Sequence, residues 1–105
     1  MRVISRRRLR EFWEVHPDAE PALKTWWKLA LSADWASIRD VRVVYPHADA
    51  VRLASGAVVT VFNIAGNKFR LIVRIIYPYR RIYVKHVLTH ADYDLGLWRS
   101  QLCRE

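Results

Sequence analysis

Cysteine is almost missing from this chain: Cys103 is the only one in 105 residues. No disulfide can form within the chain, and a cysteine-based zinc site has too few ligands. The histidines, His16, His47, His86 and His90, are dispersed, and neither HExxH nor CxxC occurs, so no metal site is expected. There are only three glycines. None belongs to a phosphate-cradling loop or a nucleophile elbow, and no pair of carboxylates flanks a recognisable cleft. Hydride transfer, zinc hydrolysis and nucleotide hydrolysis therefore lack their usual parts, and no cofactor is expected. No apolar run is long enough to span a bilayer, and no secretory apolar stretch follows the N-terminal arginines. The default is a cytoplasmic protein with no membrane partner. Acidic residues are also scarce: 10 Asp and Glu face 18 Lys and Arg, for a net charge of +8. That balance favours a polyanionic partner and says nothing about the fold.

What is present is enough apolar material for one core. The chain is 52% hydrophobic and holds five tryptophans, so residues 1–105 read as a single globular domain. Val3 and Ile4 suit a very short edge strand. Ser5 is placed to cap a helix running to about His16, whose Leu9, Phe12, Trp13 and His16 share a face. Arg6, Arg7, Arg8 and Arg10 load its first turns, against the helix dipole. Residues alone leave open whether they form a solvated face or a contact with RNA or an acidic partner. Asp18 is expected to cap a second helix with Leu23, Trp26, Trp27, Ala30 and Leu31 on its stripe. Trp26 and Trp27 lie about 100° apart, so only one reaches the centre of the contact. A short third helix is expected over Trp35 to Asp40. Strands follow over Val51 to Ala54 and Ala57 to Asn63, joined by a two-residue Ser55-Gly56 turn.

The stretch Gly66 to Tyr93 organises the rest. Phe69, Leu71, Val73, Ile75 and Tyr77 alternate with Lys68, Arg70, Ile72, Arg74 and Ile76. The first set is the core face of a strand; the second places three cations on the other side, with successive alternate positions about 6–7 Å apart. A last strand puts Arg81, Tyr83, Lys85 and Val87 on one face and Ile82, Val84, His86 and Leu88 on the other, so His86 is expected among apolar neighbours rather than in catalysis. Thr89 and Asp92 have capping spacing for a C-terminal helix. On that helix Leu95, Trp98 and Leu102 are expected to face the core. The whole reads as an α+β domain: N-terminal helices packed on an antiparallel sheet, a C-terminal helix, and a basic opposite face.

Lys, Arg, His and Tyr on one sheet face can cleave RNA without metal. The RNA supplies its own 2′-hydroxyl nucleophile. The protein must move two protons and stabilise charge on the phosphorane. On residues alone, passive RNA binding and cleavage stand level.

The segment VFNIAGNKFRLIVRIIYPYRRIYVKHVLTHADYD resembles the HigB family of toxin components, messenger-RNA endonucleases of the RelE-like group. The resemblance rests on Phe62-Asn63, Gly66-Asn67-Lys68, Phe69-Arg70-Leu71, and Thr89-His90 with Tyr93-Asp94. It is strong over the second half before the tail and looser at Ile4, His16-Pro17 and Tyr45-Pro46. It implies a RelE-like α+β toxin that cuts translated messenger RNA on the ribosome and is neutralised by a HigA-like helix-turn-helix antitoxin. By motif position it carries over Arg70, His90, Tyr93 and Lys68 as catalytic candidates and Asn67 as an RNA contact. Arg74 and Lys85 are added as RNA contacts from strand geometry. A non-catalytic RNA-binding domain, or a RelE/ParE-fold toxin acting on gyrase, are the alternatives.

Overall fold

The computed structural model describes residues 1–103. The chain opens with strand β1 (Arg2–Ile4) and helix α1 (Arg6–Val15). Then come a 3-10 turn (Pro17–Ala19) and helices α2 (Glu20–Ser32) and α3 (Ile38–Val44). Strands β2 (Asp49–Arg52), β3 (Val58–Ile64), β4 (Phe69–Ile76) and β5 (Arg81–Thr89) form an antiparallel meander. Two short helices close the described chain, α4 (His90–Leu95) and α5 (Leu97–Cys103). The sheet order is β1-β5-β4-β3-β2. The expected α+β architecture is therefore present. The short N-terminal strand adds a parallel pair, Arg2 to Ile4 against Arg81 to Tyr83, so the complete sheet is mixed.

The principal core lies between the sheet and the first three helices. Leu9 and Trp13 of α1, Leu23, Trp26 and Ala30 of α2, and Val41 of α3 meet Phe62, Leu71, Val73, Ile82 and Val84. Phe62 is its hub: Trp26 and Tyr45 approach it edge-on, with ring centroids 5.5 and 5.2 Å away. Trp26 is fully buried and Trp27 only partly, as their angular offset requires. Burial pushes the Tyr45 phenol above its ordinary pKa, as expected beside so dry a core.

Several local expectations give way to tertiary packing. Asp18 does not cap α2: it sits in the 3-10 turn, and Ala19 occupies the N-cap. Pro17 favours that tight turn, which delays the helix to Glu20. The third helix starts at Ile38 and extends through Val44, because Val41 is needed in the core. The β2–β3 connection is longer than two residues. Arg52 pairs with Val58, Leu53 is buried, and Gly56 carries a φ of 93°. A side chain at Gly56 would meet nothing, so the conformation and not the space demands glycine there.

Two deviations shape the functional surface. The first is a β-bulge in β5. Ile72 pairs with His86 but the next residue, Val73, pairs with Val84, which leaves Lys85 as the extra residue. The strict alternation expected for this strand therefore reverses across the bulge: Ile82, Val84 and Val87 all belong to the principal core, whereas Leu88 turns to the other face. The second is a break in the C-terminal helix. Gly96, with a φ of 77°, ends α4 in a left-handed cap. The chain then returns over the second sheet face, where Trp98 and Leu102 pack on Leu53, Val59, Val61 and Ile72. Leu95 does not face this core and is 70% exposed. The face expected to be basic is thus apolar at its centre, around Ile72, and covered there by α5.

Candidate RNA-contacting site

A connected polar cluster sits where β4 begins and β5 ends. The turn before β4 places Ala65 and Gly66 at φ values of 53° and 69°, reversing the chain within four residues so that Ile64 pairs with Phe69. That turn aims Asn67 at the first cation of the strand. Arg70 donates from one terminal nitrogen to the Asn67 side-chain oxygen at 2.9 Å. Its other terminal nitrogen donates to the carbonyls of Asn67 and Phe69, both at 3.2 Å. The guanidinium lies over the Tyr93 ring, 5.6 Å from its centroid. Arg70 is only 8% exposed, so it is a clamped, half-desolvated charge and not a free surface cation.

Tyr93 is itself held. Its ring stacks on Trp98, with centroids 5.3 Å apart and planes 14° from parallel. The Trp98 indole N–H donates to the Tyr93 carbonyl at 3.1 Å. Arg99 lies over the far ring of the ladder, 5.0 Å from the Trp98 centroid. Arg70, Tyr93, Trp98 and Arg99 therefore alternate cation, ring, ring, cation from β4 to α5.

His90 opens α4 at the same end of the sheet. Its backbone N–H donates to the Lys68 carbonyl at 3.0 Å, which ties the helix start to the β3–β4 turn. Thr89 caps the helix as its spacing implies, accepting from the Asp92 N–H at 3.1 Å. The His90 Nδ1 lies 2.8 Å from an Asp94 carboxylate oxygen. The contact favours the tautomer in which Nδ1–H donates to the carboxylate. His90 and Tyr93 are three residues apart on one helix face.

The structure thus brings Asn67, Arg70, His90 and Tyr93 to one place. It does not bring Lys68 side by side with Arg70. Lys68 lies in the turn before β4, and its ammonium points to Asp18, 3.5 Å away. Arg74 and Lys85 are also apart from the cluster. They line a small cavity of about 60 Å³ with Val59 and Leu102, on the other side of buried Ile72. Arg70 and Arg74 are separated by about 13 Å along the strand. Sequence reasoning gave Asp94 no role in the site and placed Trp98 only on the core-facing side of its helix, where it lies. The signal for Asp94 was available, since a carboxylate four residues after His90 shares its helix face. Trp98 gave none, because its stacking depends on the turn at Gly96.

The arginines of α1 are largely answered within the fold. Arg7 pairs with Glu11 at 2.6 Å, and Arg6 lies 5.3 and 5.0 Å from the Trp13 and Trp27 centroids. Arg8 donates to the Lys85 carbonyl. Among the described residues no group of three or more His, Cys, Asp or Glu side chains is placed to hold a metal ion. No helix among them is long and apolar enough to cross a membrane.

Residues 19–96 match the family model of the HigB toxin, a RelE-like toxic component of a toxin-antitoxin system. Over 94 residues the chain is 27% identical to the mRNA interferase HigB of Escherichia coli O6:H1, covering 90% of this chain and 89% of that protein. It is 22% identical over 94 residues to the mRNA interferase toxin HigB of Escherichia coli K12, covering 90% and 88% respectively. The matched segment holds the clamp turn, the bulged strand and all of α4, and with them Asn67, Arg70, His90, Tyr93 and Asp94 but not the supporting Trp98 and Arg99: the chain belongs to the HigB family of RelE-like toxins.

Proposed function

We propose that this toxin is an mRNA interferase: an endoribonuclease that cuts translated messages on the ribosome by metal-independent attack of the RNA 2′-hydroxyl. The observation that carries this reading is the Arg70 clamp, set beside a carboxylate-backed His90 at one end of the sheet. A guanidinium has five N–H groups. Three of them bond to Asn67 and Phe69, which leaves two for a phosphate oxygen. A donor held rigidly in a low-dielectric setting stabilises charge on a phosphorane better than a flexible surface cation, because little reorganisation is needed as the charge develops. His90, with Nε2 available, exchanges protons with the 2′-hydroxyl or the departing 5′-oxygen. Tyr93 steadies Arg70 from below and presents its hydroxyl or ring edge to the substrate.

Lys68, paired with Asp18 in the adjoining turn, adds positive charge to that end of the sheet, and Asn67 both orients Arg70 and contacts RNA. Arg74 and Lys85 form a second station for the RNA backbone on the far side of α5. The chain works as one toxin domain in the cytoplasm without a cofactor, and its partner is a HigA-like helix-turn-helix antitoxin. Primer-extension mapping after brief induction, with and without translation, tests this reading. New cuts inside translated frames that vanish in Arg70→Ala support it. Growth arrest with intact transcripts would overturn it, and arrest with accumulated gyrase-linked DNA breaks would place the toxin on gyrase instead.

A further inference from the structure

Three arginines gather on one sheet face, at the far end from the Arg70 cluster. Arg74 of β4 stands opposite Tyr83 of β5, and Arg81 lies two residues before Tyr83 on the same strand. Ile82 and Val84 face the principal core, so Arg81 and Tyr83, and Arg74 with them, face the other side. Strand β1 sets Arg2 directly beside Arg81 in the register. Arg2, Arg74 and Arg81 are exposed, and Tyr83 among them is half-buried. Elsewhere arginines find carboxylates: Arg7 with Glu11, Arg10 with Glu14, and Arg80 with Asp34. Among the described residues Arg2, Arg74 and Arg81 pair with none. Like charges directly opposite one another on neighbouring strands cost stability. Arg2 against Arg81 is such a pair, and no carboxylate among the described residues offsets it.

We propose that this patch holds the backbone of a single RNA strand, continuous with the stretch bound at Arg70, and that Arg2 and Arg81 take its phosphates. The inference rests on the endoribonuclease reading and extends it to two residues with no other assigned role. Arg70 and Arg81 lie on one sheet face, about 20 Å apart along the strands. Helix α5 crosses between them and carries Arg99, exposed against the Trp98 ring. A strand leaving the Arg70 cluster thus meets Arg99 on the helix, then Arg74, then Arg81 with Arg2. Cations strung along a track suit a polymer with a charge on every unit, and the guanidinium fork matches phosphate oxygens. Phosphates lying there offset the repulsion between Arg2 and Arg81. The size of the patch favours a single strand. It covers three neighbouring β-strands and two rows of side chains, about 10 Å by 7 Å. A surface for duplex RNA is far longer, because it must reach successive grooves over about 16 base pairs.

The test measures binding of the full-length toxin to uncleavable 2′-O-methyl RNA of roughly 4 and 16 nucleotides, the span of single-strand site sizes. The parent is expected to bind the longer RNA at least about tenfold more tightly, because more phosphates are neutralised. Arg2→Gln combined with Arg81→Gln is expected to remove that advantage and to leave the short RNA bound as before. The salt dependence for the longer RNA should fall by about 1.4 logarithmic units of slope, the share of two phosphates on a single strand. The melting temperature of the double variant should equal or exceed the parent's, since a like-charge pair is relieved. Arg39→Gln, an exposed cation on α3 beyond the opposite sheet face, is the charge control and keeps the advantage. A parent that binds both lengths alike, or a double variant that binds the longer RNA like the parent, overturns the proposal. A double variant that loses affinity for a duplex but holds the single strand also overturns it and assigns the patch to folded RNA. Transcript mapping separates this inference from the catalytic reading. Parental cuts with parental affinity in the double variant sink only the patch. A parent that binds long RNA through the patch yet leaves transcripts intact sinks the cleavage reading, while the patch stands as an RNA surface.

Discussion

Arg70 and Arg74 look equivalent in the sequence, two positions on the same side of one strand, yet the fold treats them oppositely. Arg70 is 8% exposed, fastened to Asn67 and backed by Tyr93. Arg74 is exposed and stands opposite Tyr83 in the register. Between them Ile72 is wholly buried beneath Trp98 and Leu102. The cause is the left-handed turn at Gly96, which sends α5 back across the middle of a face that would otherwise be an open cationic strip. One cation is held in place and the other is an exposed surface charge. A pattern of alternating charges therefore identifies a face without saying which charge is placed for chemistry and which only attracts a polyanion.

The largest test of this contrast is Arg70→Ala. The loss of a fixed charge-stabilising donor is expected to slow single-turnover cleavage by about 10²–10³-fold. Because Arg70 is buried, the substitution also strands the Asn67 and Phe69 carbonyls and costs stability on the order of 1–3 kcal/mol. The near-neutral effect on melting temperature that an exposed strand cation would give is therefore not expected. Rates must be normalised to the folded fraction measured by circular dichroism. Cleavage at the parental rate in that fraction would reduce Arg70 to a structural role.

Next in size is His90→Gln, expected to slow cleavage by about 10²-fold if proton transfer is lost. Its fold should persist, because Thr89 and not His90 supplies the helix cap. Asp94→Asn, which keeps the side-chain length but not the charge, should slow cleavage by less than His90→Gln does. An unchanged rate would remove Asp94 from the site.

A smaller effect is expected from Trp98→Phe. The stacked ring is kept but the indole N–H bond to the Tyr93 carbonyl is lost, worth about 1 kcal/mol. If Tyr93 is held through that bond, cleavage falls a few-fold while substrate affinity stays constant. An equal loss of affinity would mean that the ladder binds RNA rather than steadying Arg70.

The smallest effect belongs to Arg74→Ala. Stability should change by no more than about 0.5 kcal/mol. RNA affinity should weaken evenly across sequences, and the salt dependence should lose about 0.7 of a logarithmic unit of slope, the share of one phosphate contact on a single strand. A change as large as that of Arg70→Ala would erase the contrast between the two arginines.

Much of this molecule was legible from residue order. The core face of β4, the capping of α4 by Thr89, and the family motifs depend on neighbours two to four positions apart, and those relations survive folding. Legibility ended where distant segments compete for the same space. The bulge at Lys85 restores core contacts on both sides of an inserted residue, and no local pattern announces it. The pairing of His90 with Asp94 is local and was there to be read from its spacing. The burial of Arg70 was not, since the Tyr93 ring it packs on comes from α4, more than twenty residues later in the chain.

By itself the sequence determined the α+β class and the basic character, which follow from composition and short-range periodicity, and the family, which follows from its motifs. Only the tertiary structure decided how the candidate residues are grouped. It gathered Asn67, Arg70, His90 and Tyr93, turned Lys68 toward Asp18, and set Arg74 with Lys85 beyond α5. The physical reason is burial. Trp98 and Leu102 had to leave water, and the apolar surface available to them was the centre of the cationic face.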